Sequence, residues 1–303
     1  MTQALAFLLF TGGASFLLEA QPASLNGSLA LHTDSMGAGA PTIVFLSGLG
    51  ATSSYWARRV RPLAETHKLL LPDPIGFGRS ARPDSTYSLG FHVRAVQPLL
   101  DSAGPIVLVG HSFGALVAAT YARAHPESVQ GLVLISAPVY ASRADALAQL
   151  SQRNPIKQWV MAHRSFTILL CSVTRRIARP LIPLLAPDLP GEIRDDATAH
   201  TARAATSTLH DGLYPTNGFD LLRALPLDLP VLIIHGDADR TAPWAALKQL
   251  LAERPEWQQL VLRNIDHHPL LRSPESVTEA IRVFAASPPR PPAILGMSPD
   301  LRP

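Results

Sequence analysis

Ile106-Val-Leu-Val-Gly-His-Ser-Phe-Gly-Ala-Leu-Val-Ala-Ala119 runs from a β-branched and leucine-rich strand pattern, through Gly110-His111-Ser112-Phe113-Gly114, into an apolar helix pattern over Phe113 to Arg123. A serine on so sharp a strand-to-helix turn must adopt a strained backbone. Glycines two before and two after it leave room for neighbouring chain, and the hydroxyl then stands exposed at the end of the sheet. This arrangement is a nucleophile elbow. The plain alternative is a serine that only caps a helix in an ordinary α/β unit.

The strand that feeds this turn is one of several. Near-continuous apolar runs recur at Thr42–Ser47, Lys68–Pro72, Ile106–Gly110, Gly131–Ser136, Val231–Gly236 and Gln259–Arg263, most of them followed by a helical pattern. Such runs fit strands of a parallel sheet covered on both faces, with connections long enough for crossover helices. Ser28–Thr33 alternates instead, as an edge strand would. The expected fold class is α/β, a mostly parallel, doubly wound sheet. After Ser136-Ala137-Pro138 the next strand waits until Val231, across a proline-punctuated, helical and arginine-containing stretch. A structureless loop of that length is improbable, so residues 138–228 are expected to form a helical lid inserted into a core of residues 21–137 and 229–286.

Composition sets the outer limits. The 303 residues are 47% hydrophobic and 16% charged, enough to bury one large core with an insertion. A net charge of +3, evenly spread, gives no argument for a nucleic-acid partner. The single cysteine, Cys171, cannot form an intrachain disulfide, and no Cys/His cluster has structural-zinc spacing, so no metal is expected. Thr2 through Leu18 carries no charge and contains the apolar run Ala4 to Phe10. No Lys or Arg precedes that run, and Gly12-Gly13 interrupts the uncharged stretch Thr2–Leu18, which favours a cytoplasmic protein. Export or membrane association through residues 2–18 is the alternative. Residues 1–20 are thus an apolar extension. Residues 287–303, opening with Ser287-Pro-Pro-Arg-Pro-Pro, are a proline-rich tail that cannot hold a helix or a ladder.

A serine hydroxyl is a poor nucleophile until a histidine base, oriented by a carboxylate, takes its proton. Val231-Leu-Ile-Ile-His-Gly-Asp-Ala-Asp239 is a buried strand ending in a Gly/Asp turn, and Gln259-Leu-Val-Leu-Arg-Asn-Ile-Asp-His267-His-Pro is a strand whose following loop carries histidine. Asp237 competes with Asp239, and His268 with His267. Ser, Asp, His in chain order is the α/β-hydrolase order.

The chain resembles the α/β-hydrolase-fold serine hydrolases, esterase-like and with a helical lid. The matching motifs are Ser47-Gly-Leu-Gly50, Asp73-Pro-Ile-Gly-Phe-Gly-Arg-Ser80, the elbow, His235-Gly-Asp-Ala-Asp239 and His267-His-Pro-Leu-Leu-Arg-Ser-Pro274. The resemblance implies Ser112 as nucleophile, His267 as base and then acid, and Asp239 as the carboxylate that orients it. Ser136 stands where some relatives place the acid on the preceding strand, and Asp266 where glycine is usual before the histidine. The backbone amides of Phe113 and Leu49 are expected to form the oxyanion hole, with Ser47 where a histidine is common.

The glycine-rich turn Asp73–Ser80 lacks the Lys-Ser/Thr ending of a phosphate loop and reads as structural, and His111 and His235 as packed or hydrogen-bonded. Trp56 and Trp159 could line a pocket, and so could Ile168 and Leu169 in the apolar stretch Phe166–Val173, with Arg175, Arg176 and Arg179 as a basic rim. Core packing competes with each of these readings. The expected activity is cofactor-free cleavage of a carboxylic ester, or of a thioester or lactone, in a small and largely apolar acyl substrate. Acyl transfer or C–C bond hydrolysis on the same three residues is the alternative, and a ligand-binding or interaction protein that keeps the fold is a reading of another class.

Overall fold

The computed structural model describes residues 29–152, 154–173, 191–196 and 199–286. The apolar extension, the proline-rich tail and Arg175, Arg176 and Arg179 lie outside the described residues.

Seven strands form one sheet: β1 (Thr33–Met36), β2 (Thr42–Leu46), β3 (Leu69–Pro72), β4 (Ile106–His111), β5 (Val129–Ile135), β6 (Val231–Gly236) and β7 (Gln258–Leu262). Their spatial order is β1-β3-β2-β4-β5-β6-β7, with β1 antiparallel to β3 and every other pairing parallel. The central strands are buried along their whole length, which is why they read as continuous apolar runs. Their pleat divides the core in two. Val44, Leu46, Leu108, Leu132 and Leu134 pack on one face, and Ile43, Phe45, Val107, Val109 and Val133 on the other.

Helices cover both faces. In chain order they are α1 (Ser54–Ala57), α2 (Leu89–Ser102), α3 (Phe113–Ala124), α4 (Arg143–Leu150), α5 (Pro155–Ala162), α6 (Arg164–Val173), α7 (Gly191–Asp196), α8 (Ala202–Ser207), α9 (Gly218–Arg223), α10 (Trp244–Glu253), α11 (Pro269–Arg272) and α12 (Pro274–Ala285). Helices α2, α3 and α10 close the first face with Val96, Leu116 and Leu247, while α1 and α12 close the second with Trp56, Ile281 and Phe284. Helices α4 to α9, with a π-helical turn at Thr208–Leu213, occupy the long connection between β5 and β6.

One strand is displaced from its sequence reading. The edge strand forms at Thr33–Met36, not at Ser28–Thr33. Residues just before it are held by the loop after β3 instead of by a ladder, since Ala30 O accepts from Ala81 N at 3.0 Å and His32 O from Asp73 N at 2.9 Å.

The register decides where the site can lie. His111 pairs with Ile135, Ile135 with Ile234, and Gly236 with Leu262, so the carboxyl ends of β4 to β7 reach one edge together. Ser112, Asp239 and His267 all follow on that edge, as ligand sites in open α/β sheets do.

Candidate active site

Ser112 sits between β4 and α3 with φ 52° and ψ −123°, a left-handed conformation that a non-glycine residue adopts only under constraint. The neighbours impose it. Ser112 N donates to Ile135 O at 2.9 Å, and a Cβ on Gly114 would come within 2.2 Å of Leu46 O, so only glycine lets the helix start this close to β2. The strain turns the hydroxyl out of the sheet.

His267 Nε2 lies 2.9 Å from Ser112 Oγ, and His267 Nδ1 lies 2.7 Å from Asp239 Oδ2. A carboxylate can only accept, so Nδ1 carries the proton and Nε2 is left to receive that of the serine. Asp239 is buried, which alone raises its pKa. Hydrogen bonds from His267 and from the Ala242 N–H outweigh burial and hold the carboxyl below its ordinary range. Its other oxygen accepts from Thr241 N at 2.8 Å and Ala242 N at 2.9 Å. The same turn is gripped from behind, because His235 Nε2 donates to Ala242 O at 2.7 Å. Burial lowers the pKa of the His235 ring, against the opposing pull of Asp239.

The competing residues are occupied elsewhere. Asp237 is exposed and accepts from Asn264 N at 2.6 Å. The His268 ring is buried, which lowers its pKa to about 4, and stands 6.0 Å from the Tyr55 ring. Asp266, in the usual glycine position, accepts from His268 N at 3.0 Å and pairs with Arg272, so a side chain shapes the turn there.

Phe113 opens α3, where the first N–H groups have no acceptor within the helix and the dipole favours negative charge. The loop after β2 approaches from the other side: a Cβ on Gly48 would lie 3.0 Å from Ser112 Cβ, so the backbone just before Leu49 passes close to the serine. That loop is pinned by Ser47, whose hydroxyl donates to Thr52 O and accepts from Trp56 Nε1, both at 2.9 Å. Leu49 and Phe113 also line a cavity of about 30 Å³, walled by Leu46, Ile75, Phe77 and Val117 and bordered by the polar pair His92 and Thr208. His92 is buried, with its pKa lowered to about 3, and its Nε2 is 3.0 Å from Thr208 Oγ1.

The expected pocket residues are placed differently. Trp56 is fully buried against Phe45 and serves the loop through Ser47, so it is not a pocket wall. Trp159 and Leu169 stand on the outer side of α5 and α6, 49% and 58% exposed. Ile168 lines a separate cleft with Arg164 and Arg203, and none of these three borders the cavity beside Leu49 and Phe113. Sequence reasoning misses His92 and Thr208. They are 116 residues apart, and no local pattern joins them.

Residues 41–274 match the family model described as alpha/beta hydrolase fold. Pimeloyl-[acyl-carrier protein] methyl ester esterase of Xanthomonas oryzae pv. oryzae is 31% identical over 268 residues, covering 86% of this chain and all of that protein. A 1-acylglycerol-3-phosphate O-acyltransferase of Arabidopsis thaliana is 36% identical over 120 residues, 37% of this chain and only 28% of that protein. Among solved structures, E-2-(acetamidomethylene)succinate hydrolase superposes with a TM-score of 0.67 at 22% identity, over 84% of this chain and 94% of that one. A thermophilic esterase from Thermogutta terrifontis gives 0.63 at 22%, over 84% and 92%. At that identity the structural likenesses speak for the fold. The chain belongs to the α/β-hydrolase fold family.

Proposed function

We propose that this protein is a serine hydrolase acting on carboxylic ester bonds through an acyl-serine intermediate. The observation that carries the reading is the unbroken line Ser112 Oγ to His267 Nε2, then His267 Nδ1 to Asp239 Oδ2, at 2.9 and 2.7 Å. Ser112 Oγ attacks the carbonyl carbon while His267 takes its proton. The oxyanion so formed is met by the Phe113 and Leu49 amides, each such donor being worth about 2.7–4 kcal/mol of the barrier. His267 then protonates the departing alcohol, water attacks the acyl-serine with His267 as base, and the acid leaves with Ser112 restored. The helical insertion acts as a lid over this edge. A cavity of about 30 Å³ next to the amides suits a short group of the substrate.

The likeness to a methyl ester esterase supports hydrolysis. Transfer to an alcohol is the second reading, supported by the shorter likeness to a glycerophosphate acyltransferase. Intact-mass analysis after a fluorophosphonate probe, with turnover of short p-nitrophenyl esters, tests the first reading. Wild-type protein should gain one adduct and Ser112→Ala none, with turnover lost by several orders of magnitude. An adduct of full stoichiometry on Ser112→Ala would overturn it. Product analysis in the presence of glycerol or a monoacylglycerol separates transfer from hydrolysis.

A further inference from the structure

Helices α5 and α6 are apolar in sequence and yet bury almost nothing: α5 has no buried residue and α6 only Thr167. Ile156 is 76% exposed, Phe166 43% and Leu170 53%. The Trp159 and Phe166 rings pack 4.6 Å apart and join the two helices into one outward apolar face. A soluble monomer seldom leaves such a face open without a use for it. Between Asn154 and Val173 the charged residues are Lys157 and Arg164, with no Asp or Glu.

At one edge of this face Ile168 leads into a cleft of about 340 Å³ whose wall also carries Arg164, Arg203, Ser85, Thr86 and Thr206. The Thr206 hydroxyl is buried there without a hydrogen-bond partner. Arg164 pairs with Asp211 and Arg203 with Asp84, but the two guanidinium side chains stay 47% and 64% exposed. Each fork keeps N–H donors beyond those one carboxylate uses.

We propose that this face docks on the surface of an anionic phospholipid bilayer. Trp159, Phe166 and Leu170 enter the boundary between headgroups and acyl chains, and the Arg164–Arg203 cleft receives a phosphate headgroup. Aromatic and aliphatic side chains on one side of a helix pair that carries Lys157 and Arg164 and no acidic residue of its own are the chemistry of interfacial binding. A second copy of this chain fits less well, because self-pairing of the face would set Lys157 and Arg164 against their own like charges. Among the described residues no helix is long and apolar enough to cross a membrane. The proposal is independent of which ester is cleaved.

The test is flotation of the full chain with vesicles of phosphatidylcholine alone and of equal parts phosphatidylcholine and phosphatidylglycerol, with tryptophan emission recorded in parallel. Binding is expected to the mixed vesicles, with a blue shift that Trp159→Phe removes. Phe166→Asp combined with Leu170→Asp should weaken binding at least tenfold, and Arg203→Gln about fivefold, the latter only on vesicles containing phosphatidylglycerol. Thermal unfolding and turnover of p-nitrophenyl acetate, measured on every variant, should match wild type and show that each is folded. Absence of binding by wild type, or binding that the Phe166/Leu170 variant leaves intact, overturns the proposal. So does a concentration-dependent dimer that this variant abolishes in a protein that ignores vesicles.

Discussion

His111 Nε2 stands 2.9 Å from the backbone carbonyl of His267, so the residue before the serine holds the loop that carries its base. A carbonyl only accepts, hence the ring proton is on Nε2, and Nδ1 is left buried without a partner. Burial, and the neighbouring His267 and His268, keep this ring neutral far below the usual histidine range. His111→Phe preserves the stacking on Tyr55, whose ring centroid is 4.8 Å away, but leaves the His267 carbonyl unbonded. Loss of one such bond costs about 1–3 kcal/mol when the partner stays buried. We expect kcat to fall on the order of tenfold with KM little changed, because the orientation of the base suffers and not substrate binding. Steady-state kinetics check this, and an unchanged kcat would show that the loop is held without His111.

The two carboxylates after β6 should separate cleanly. Asp239→Asn leaves a neutral group opposite His267 Nδ1 and allows the wrong tautomer, which in a comparable arrangement costs about 10⁴ in kcat. Asp237→Asn touches only an exposed turn bonded to Asn264 N, and should cost activity less than about threefold. The same contrast should hold for His267→Ala against His268→Ala in fluorophosphonate labelling rate. A larger loss at Asp237 or His268 would reverse the assignment of base and carboxylate.

Acid should unfold this protein through its buried neutral histidines. His92, at about 3 when folded, and His268, at about 4, both lie below the ordinary 6.5 that an unfolded chain regains. Between those limits the unfolded state binds more protons, so stability falls as pH drops below about 6.5, each histidine adding a slope that approaches 1.4 kcal/mol per pH unit. Asp239 acts lower. Its depressed carboxyl contributes stability above the unfolded value of 3.8, lost only as pH falls through the folded one. Urea midpoints between about pH 7 and about pH 5 should therefore decline for wild type and decline less for His92→Gln. Parallel pH curves for the two proteins would mean that His92 is protonated in the native state.

Much of the site is legible in the order of residues along the chain, for a physical reason that also marks the limit. Ser112 and Asp239 each follow a strand buried along its whole length, β4 and β6, while His267 follows the half-exposed edge strand β7, and parallel strands in register bring the three following loops to one edge. Glycines at 110 and 114 are needed by backbone contact, which composition and spacing express directly. Pocket walls are not expressed that way. Trp56 and Trp159 are alike in sequence as large aromatics, but one is an inward donor to Ser47 and the other an outward ring on α5. Helix α6 carries apolar residues on more than one side, so the face turned to solvent could not be chosen from its pattern. The pairing of His92 with Thr208 is a product of how the insertion returns to α2, and nothing near either residue announces it.

The cavity beside Leu49 and Phe113 should set chain length, because its other walls include the apolar side chains of Leu46, Ile75, Phe77 and Val117. Val117, on α3, contributes its side chain to a space of about 30 Å³, room for only about two water-sized groups. Wild type is therefore expected to prefer p-nitrophenyl acetate to the hexanoate. Val117→Ala removes two methyl-sized groups from that wall and makes room for a longer chain. One methylene accommodated in an apolar pocket is worth about 1–3 kcal/mol, so the ratio of kcat/KM for hexanoate over acetate should rise at least tenfold. Stability should fall by about 1–3 kcal/mol in the absence of ligand, since the enlarged cavity loses packing contacts. A destabilised variant with an unchanged chain-length ratio would place the acyl chain elsewhere, towards the insertion, and leave this cavity as a packing defect next to Leu49 and Phe113.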